Sequence, residues 1–128
     1  MDADFFAYRA CQSAETELDW GDDLITIASN FRVVLEIFEG EINNLRNRFD
    51  TANVTLYFSD SKNFRKLVCP DYKGKRTKRK PVGYKRLLEW CSKHYKVVRY
   101  PNLEADDALG LECHLDPRDF VLVSPDKD

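Results

Sequence analysis

The sequence predicts an α/β fold built on a parallel sheet. Three short runs rich in β-branched and aromatic residues, Asn53–Phe58, Lys96–Tyr100 and Asp119–Ser124, are bounded by turn residues and read as strands. Segments with a helical apolar period lie between them, and strands joined by crossovers of that length run parallel. A third pattern supports the same plan: carboxylates gather just after each strand, where open parallel sheets build their ligand sites.

The elements follow in order along the chain. Asp22 to Leu45 places Leu24, Ile25, Ile27, Ala28, Phe31, Val34, Leu35, Phe38, Ile42 and Leu45 close to a 3.6-residue repeat, so a helix is expected there. Pro81 suits the first turn of a second helix, with Tyr84, Leu87, Leu88, Cys91 and Tyr95 on its buried side. A third helix, Glu104 to His114, follows Pro101 and Asn102. Lys62 to Lys80 has little apolar periodicity and contains Pro70 and Gly74, which predicts a loop or arch over a site. Only Met1 precedes Asp2 where a full first strand is expected, and the chain stops at Asp128 directly after a strand. A fragment is expected.

At 128 residues with 43% hydrophobic side chains, the chain is the right size for one domain with one core. No apolar run reaches the roughly 20 residues of a membrane span, and the N-terminus lacks a basic segment followed by an apolar one. A cytoplasmic setting with no membrane partner is the expectation. Cys11, Cys69, Cys91 and Cys113 are widely spaced and form no CxxC pair, so they read as buried free thiols rather than a zinc or disulfide framework.

The net charge of −2 hides an asymmetry. From Lys62 to Arg99 there are fourteen basic residues against Asp71 and Glu89 alone, a local charge of +12 between acidic flanks. Such a stretch suits a polyanion, although a solvated, salt-bridged face would read the same way. Within it, Tyr72 offers a stacking face, Lys73 and Arg76 can bind phosphate, and Gly74 allows close backbone approach. Arg65 and Lys66 precede them, and Lys75, Lys78, Arg79 and Lys80 continue the run.

The carboxylates are Asp2 and Asp4 at the end of the first strand, Asp60 after the second, Glu104, Asp106 and Asp107 after the third, and Asp126 and Asp128 after the last. Packed together, so many like charges call for divalent cations, and oxygen donors without histidine suit Mg2+ or Mn2+. Two such ions would activate water and orient a phosphate for in-line attack. Each group also has a plainer reading: Glu104, Asp106 and Asp107 suit a helix N-terminus, Asp60 a turn, and Asp126 and Asp128 an exposed loop.

The stretches DADFFAYRA from Asp2, YFSDSKNFRK from Tyr57, PDYKGKRTKRKPVGY from Pro70, LEADDALG from Leu103 and VLVSPDKD from Val121 together resemble the flap-endonuclease-like 5′ nucleases. The phage 5′→3′ exonucleases are the most similar group, and the 5′ nuclease domain of bacterial DNA polymerase I is related to them. The resemblance implies a PIN-like core with helices on both faces and a basic arch at 62–80. It implies that 1–128 is the N-terminal metal-binding part, lacking the start of the first strand and the C-terminal helix-hairpin-helix region.

It further implies metal ligands at Asp2, Asp60, Glu104, Asp106, Asp107, Asp126 and Asp128, holding two Mg2+ or Mn2+ ions. Catalytic roles would fall to Lys73, Arg76, Asp106 and Asp107, and DNA contacts to Arg65, Lys66, Tyr72, Lys73, Lys75, Arg76, Lys78, Arg79 and Lys80. The implied reaction is hydrolysis of DNA, or of an RNA primer, near a 5′ end or flap. As a fragment, the chain alone is expected to be weakly active or inactive. A PIN-type ribonuclease and a non-catalytic nucleic-acid-binding module are the alternatives.

Overall fold

The computed structural model describes residues 1–72, 79–115 and 120–125. The expected strand ends at Asp126 and Asp128, and the basic residues Lys73, Lys75, Arg76 and Lys78, lie outside them. The chain divides into two compact units, one made of 1–5, 53–79 and 95–128, the other of 6–52 and 80–94.

The first unit is organised by backbone bonds between extended segments. β3 (Thr55–Tyr57) and β4 (Lys96–Val98) run parallel in the register Thr55–Lys96, Leu56–Val97 and Tyr57–Val98. Short runs of Thr, Val and Tyr bias these segments to extended backbone, and the parallel pairing buries Leu56 completely. On the other side of β3, Asp2 forms a parallel bridge with Tyr57, and the Tyr57 N–H donates to the Met1 carbonyl at 2.9 Å. The Asp2 N–H in turn donates to the Val123 carbonyl at 2.8 Å. Asp2, β3 and β4 thus lie side by side, and the parallel β3–β4 pair agrees with the expected parallel sheet.

Two helices complete this unit. α3 (Phe64–Val68) is capped by the buried Asn63, whose Oδ1 accepts the Arg65 N–H at 2.8 Å. α5 (Ala105–Leu115) buries Ala105, Ala108 and Leu109. The segment predicted as a structureless arch therefore begins with a short helix. The expected last strand is a correction of the opposite kind: 120–124 form no strand, and Asp119 lies outside the described residues.

α1 (Ala3–Ser13) begins in the first unit and continues into the second, where Ala7, Ala10, Cys11 and Ala14 are buried. The second unit holds an antiparallel hairpin, β1 (Glu15–Asp19) and β2 (Ile25–Ser29), and two longer helices, α2 (Phe31–Phe49) and α4 (Tyr84–His94). The helix predicted from Asp22 is half wrong. Gly21, Asp22 and Asp23 all take positive φ (84°, 50° and 59°), reversing the chain so that Ile25–Ser29 pairs back on β1. The β-branched Ile25, Thr26 and Ile27 favour that strand, and the helix starts only after Asn30, whose side chain accepts the Arg32 N–H.

α2 buries Val34, Phe38 and Ile42 at four-residue intervals, one stripe of a single face. α4 buries Tyr84, Leu87 and Cys91. Arg86 lies over the Phe31 ring at 4.2 Å, and the Val82 N–H donates to the Glu15 carboxylate at 2.7 Å. Of the four thiols, Cys11 and Cys91 are buried, Cys113 is half-buried and Cys69 is exposed. Burial pushes the Cys11 thiol up to about 11 and the Cys91 thiol to about 12, so both are inert packing groups.

Phe38 is fully buried in the second unit. Phe38→Ala should lower stability by roughly 3–5 kcal/mol, read by urea denaturation, because transfer and cavity terms add. A loss below about 1 kcal/mol, the size of a surface change, would show that Phe38 does not hold this core.

A carboxylate-rich candidate active site

The first unit brings several of the predicted acidic residues to the ends of its extended segments. Asp2 sits where the bridge to Tyr57 gives way to α1, and its side chain is buried. Its Oδ1 accepts the Asp4 N–H at 3.0 Å, closing the first turn of the helix. Asp4 reaches across to accept the Ser59 N–H at 2.8 Å, just beyond β3. Asp106, in the first turn of α5, accepts the Ser124 hydroxyl at 3.0 Å.

Burial is the main force on Asp2. It raises the carboxyl from its ordinary 3.8 to about 6, and the negative charges of Asp106 and then Asp4 push the same way, against backbone N–H donors at Asp4 and Phe5. Asp2 therefore senses the charge of Asp106, which belongs to a distant part of the sequence.

The other carboxylates are compensated within the unit. Arg65 of α3 donates through Nη1 to Glu104 at 2.8 Å and to Asp107 at 2.9 Å, and through Nη2 to Asp107 at 2.6 Å. The guanidinium also lies over the rings of Phe64, at 5.3 Å, and Tyr72, at 5.7 Å. The Tyr72 hydroxyl donates to Glu104 at 3.2 Å. Asp107 additionally accepts the Glu104 N–H at 3.2 Å, capping the start of α5, and the Ala105 N–H donates to the Ser59 hydroxyl at 3.0 Å.

Asp60 does what its plainer reading foresaw. It accepts the Ser61 N–H at 2.7 Å and the Asn102 N–H at 2.9 Å, and the Asn102 bond leads the causes that hold its carboxyl below the usual value. That bond pins a turn in which Asn102 adopts φ +63°, and the Asn102 carbonyl accepts the Phe64 N–H at 3.0 Å.

Of the predicted nucleic-acid contacts, Arg65 and Tyr72 thus join the acidic cluster, Lys66 and Arg79 are exposed in the first unit, and Lys80 belongs to the second, where its ammonium lies 4.7 Å from the Tyr84 ring. Sequence reading missed Ser59 and Ser124, whose hydroxyls bond the first turn of α5. It also missed that Arg65 pairs with Glu104 and Asp107 of the acidic trio. Neither has a signal in linear order, since the partners lie tens of residues away.

Among the described residues, no three of His, Cys, Asp and Glu form a ready metal cage. The donor chemistry nevertheless fits a hard divalent cation at Asp2 and Asp106, because a buried carboxylate opposed by a second one, with no histidine nearby, is stabilised by such an ion.

No family model and no solved structure matches the chain. Two curated proteins do. The exodeoxyribonuclease of Enterobacteria phage T3 and the exonuclease of Escherichia phage T7 are each 32% identical to it over 139 aligned positions, which take in the whole of this chain. The chain is thus similar in sequence to these two phage exonucleases along its whole length. It spans about half their length, 46% of each. That similarity agrees with the resemblance carried by the motifs, from DADFFAYRA at Asp2 to LEADDALG at Leu103.

In this chain, Asp2 makes stability depend on pH with a definite sign. Below its ordinary value of 3.8 the group is protonated whether the chain is folded or not; between 3.8 and about 6 the unfolded chain releases the proton first, so folding loses stability as pH rises. Above about 6 the whole penalty, roughly 2–3 kcal/mol, is in force. Asp2→Asn keeps the acceptor for Asp4 and removes the charge. Thermal melts should show the variant increasingly more stable than the parent as pH rises through this window, then at a constant advantage. An advantage that does not change with pH would contradict the assignment.

Proposed function

We propose that the chain is the metal-binding part of a Mg2+- or Mn2+-dependent 5′ nuclease, which hydrolyses DNA or RNA-primer phosphodiesters near a 5′ end or flap. The observation that carries this reading is the buried Asp2 set against Asp106 beside the Arg65-bound pair Glu104 and Asp107. The names of the T3 and T7 relatives, both exonucleases, support it. In this reading the parallel pair β3–β4 is part of a PIN-like core.

Asp2 and Asp106 would hold the first ion, and Asp60, Glu104, Asp107, Asp126 and Asp128 are the remaining expected ligands. When bound, the ions would supply a more acidic water and offset the charge of the phosphate. The chain's own cations do the rest. Lys73 and Arg76 offset charge that builds on the scissile phosphate, with Lys66, Lys75, Lys78, Arg79 and Lys80 tracking the backbone and Tyr72 stacking on a base. Arg65 has a second duty: it holds Glu104 and Asp107 in place until the ions and the substrate arrive.

One observation favours a non-catalytic nucleic-acid-binding module instead, namely that Asp60, Glu104 and Asp107 are already satisfied by turn donors and Arg65. Activity on a 5′-flap substrate with Mg2+, in a longer polypeptide that contains this chain, separates the two. Asp106→Asn should lower turnover by on the order of 100-fold, since altered metal-site support alone costs up to that much. Lys73→Ala should cost roughly 10²–10³-fold, as for other donors to a developing anion. DNA binding without cleavage, unchanged by Asp106→Asn, would make the chain a binding module. Cleavage of RNA regardless of a free 5′ end would make it a PIN-type ribonuclease.

A further inference from the structure

The hairpin β1–β2 is unusual for its exposure. Leu18, Trp20, Leu24 and Ile25 are 40%, 67%, 58% and 57% exposed, on a two-stranded element that is marginal when left to itself. The register sorts its side chains. Thr16 pairs with Ala28 and Leu18 with Thr26, so these residues share one face. Trp20 joins them, since its N–H donates to the Leu24 carbonyl and its ring nitrogen to the Thr26 hydroxyl at 2.8 Å. The opposite face carries Glu15, Glu17 and Asp19 along β1, facing Ser29, Ile27 and Ile25.

Charge on this element has one sign. Residues 15–29 contain Glu15, Glu17, Asp19, Asp22 and Asp23 and no Lys or Arg. β1 pairs with β2 on one edge and with no other strand among the described residues. The apolar face continues at the base of the hairpin into an open cleft lined by Ala14, Thr16, Ala28, Ser29 and Val33, where the Ser29 hydroxyl is buried with no partner among the described residues. A strand added along β1 would place its alternate side chains beside Glu17 and Asp19 on one face and beside Thr16, Leu18 and Trp20 on the other.

We propose that the edge of β1 turned away from β2 is a docking site for a segment of a separate protein in which cationic and apolar side chains alternate, bound by strand addition. Backbone bonds along that edge supply affinity, and the two-faced pattern of β1 supplies selection. The site lies in the second unit and is independent of the nuclease reading.

A Lys–Val alternating peptide of about ten residues, the upper length of ordinary strands, is the probe. It is titrated into the 128-residue chain at about 0.15 M salt, where loose charge attraction is screened. Saturable binding is expected, with amide hydrogen exchange slowed in Glu15–Asp19. A Lys–Ser peptide of equal charge should bind at least roughly tenfold more weakly, as should the parent peptide to Glu17→Lys or to Leu18→Ser. Both variants alter exposed positions, and unchanged melting temperatures verify their fold. Equal binding of the two peptides, exchange unchanged in β1, or indifference to both substitutions would overturn the proposal. So would sedimentation showing a dimer of the chain that Glu17→Lys dissolves, because a second copy would then be the occupant.

Discussion

The burial of the Asp2 carboxylate, with the charges of Asp106 and Asp4 close enough to act on it, is the constraint to which the first unit answers. Asp2 feels the charges of Asp106 and Asp4, Glu104 and Asp107 converge on Arg65, and Asp60 sits in the turn beyond β3. Backbone donors offset the charge of Asp4 and Asp60, through Ser59, Ser61 and Asn102. Arg65 does it for Glu104 and Asp107. Asp106 has the Ser124 hydroxyl, and among the described residues Asp2 has N–H donors near the start of α1 against a burial that raises its carboxyl to about 6. The compensation is thinnest at Asp2, and a divalent cation would add most there.

This gradation gives the site a physical order. Groups already tied by hydrogen bonds keep their geometry without help, and Arg65 spans the middle ground as a cation that the fold itself provides. Its position between the Phe64 and Tyr72 rings and over two carboxylates requires the Asn63 cap, which starts α3 at the right residue. Loss of the cap would therefore act on the acidic trio through the helix, although Asn63 touches none of the three.

The parts of this arrangement that local patterns encode were legible in the sequence. Val, Thr and Tyr runs located β3 and β4, and carboxylates after Phe58 and Tyr100 fall where strand-end chemistry puts them. The hairpin was not legible, because Leu24, Ile25, Ile27 and Ala28 match a helical period about as well as a strand, and the decision rests on three left-handed residues at Gly21, Asp22 and Asp23. The roles of Arg65, Ser59 and Ser124 were not legible either, since they depend on contacts across tens of residues. Asp60 shows the limit from the other side: its place in the motif and its place in a hydrogen-bonded turn are both real, and sequence alone does not rank them.

We propose above all that the poorly compensated Asp2, set against Asp106, is a divalent-cation site. Carbon-13 NMR titration of the side-chain carboxyls in the 128-residue chain, with and without saturating Mg2+, tests it most directly. Without the ion, Asp2 should titrate with a midpoint of about 6. With Mg2+ bound, the midpoint should fall below 3.8, because the ion favours the charged form. A midpoint that Mg2+ leaves unmoved would contradict the claim.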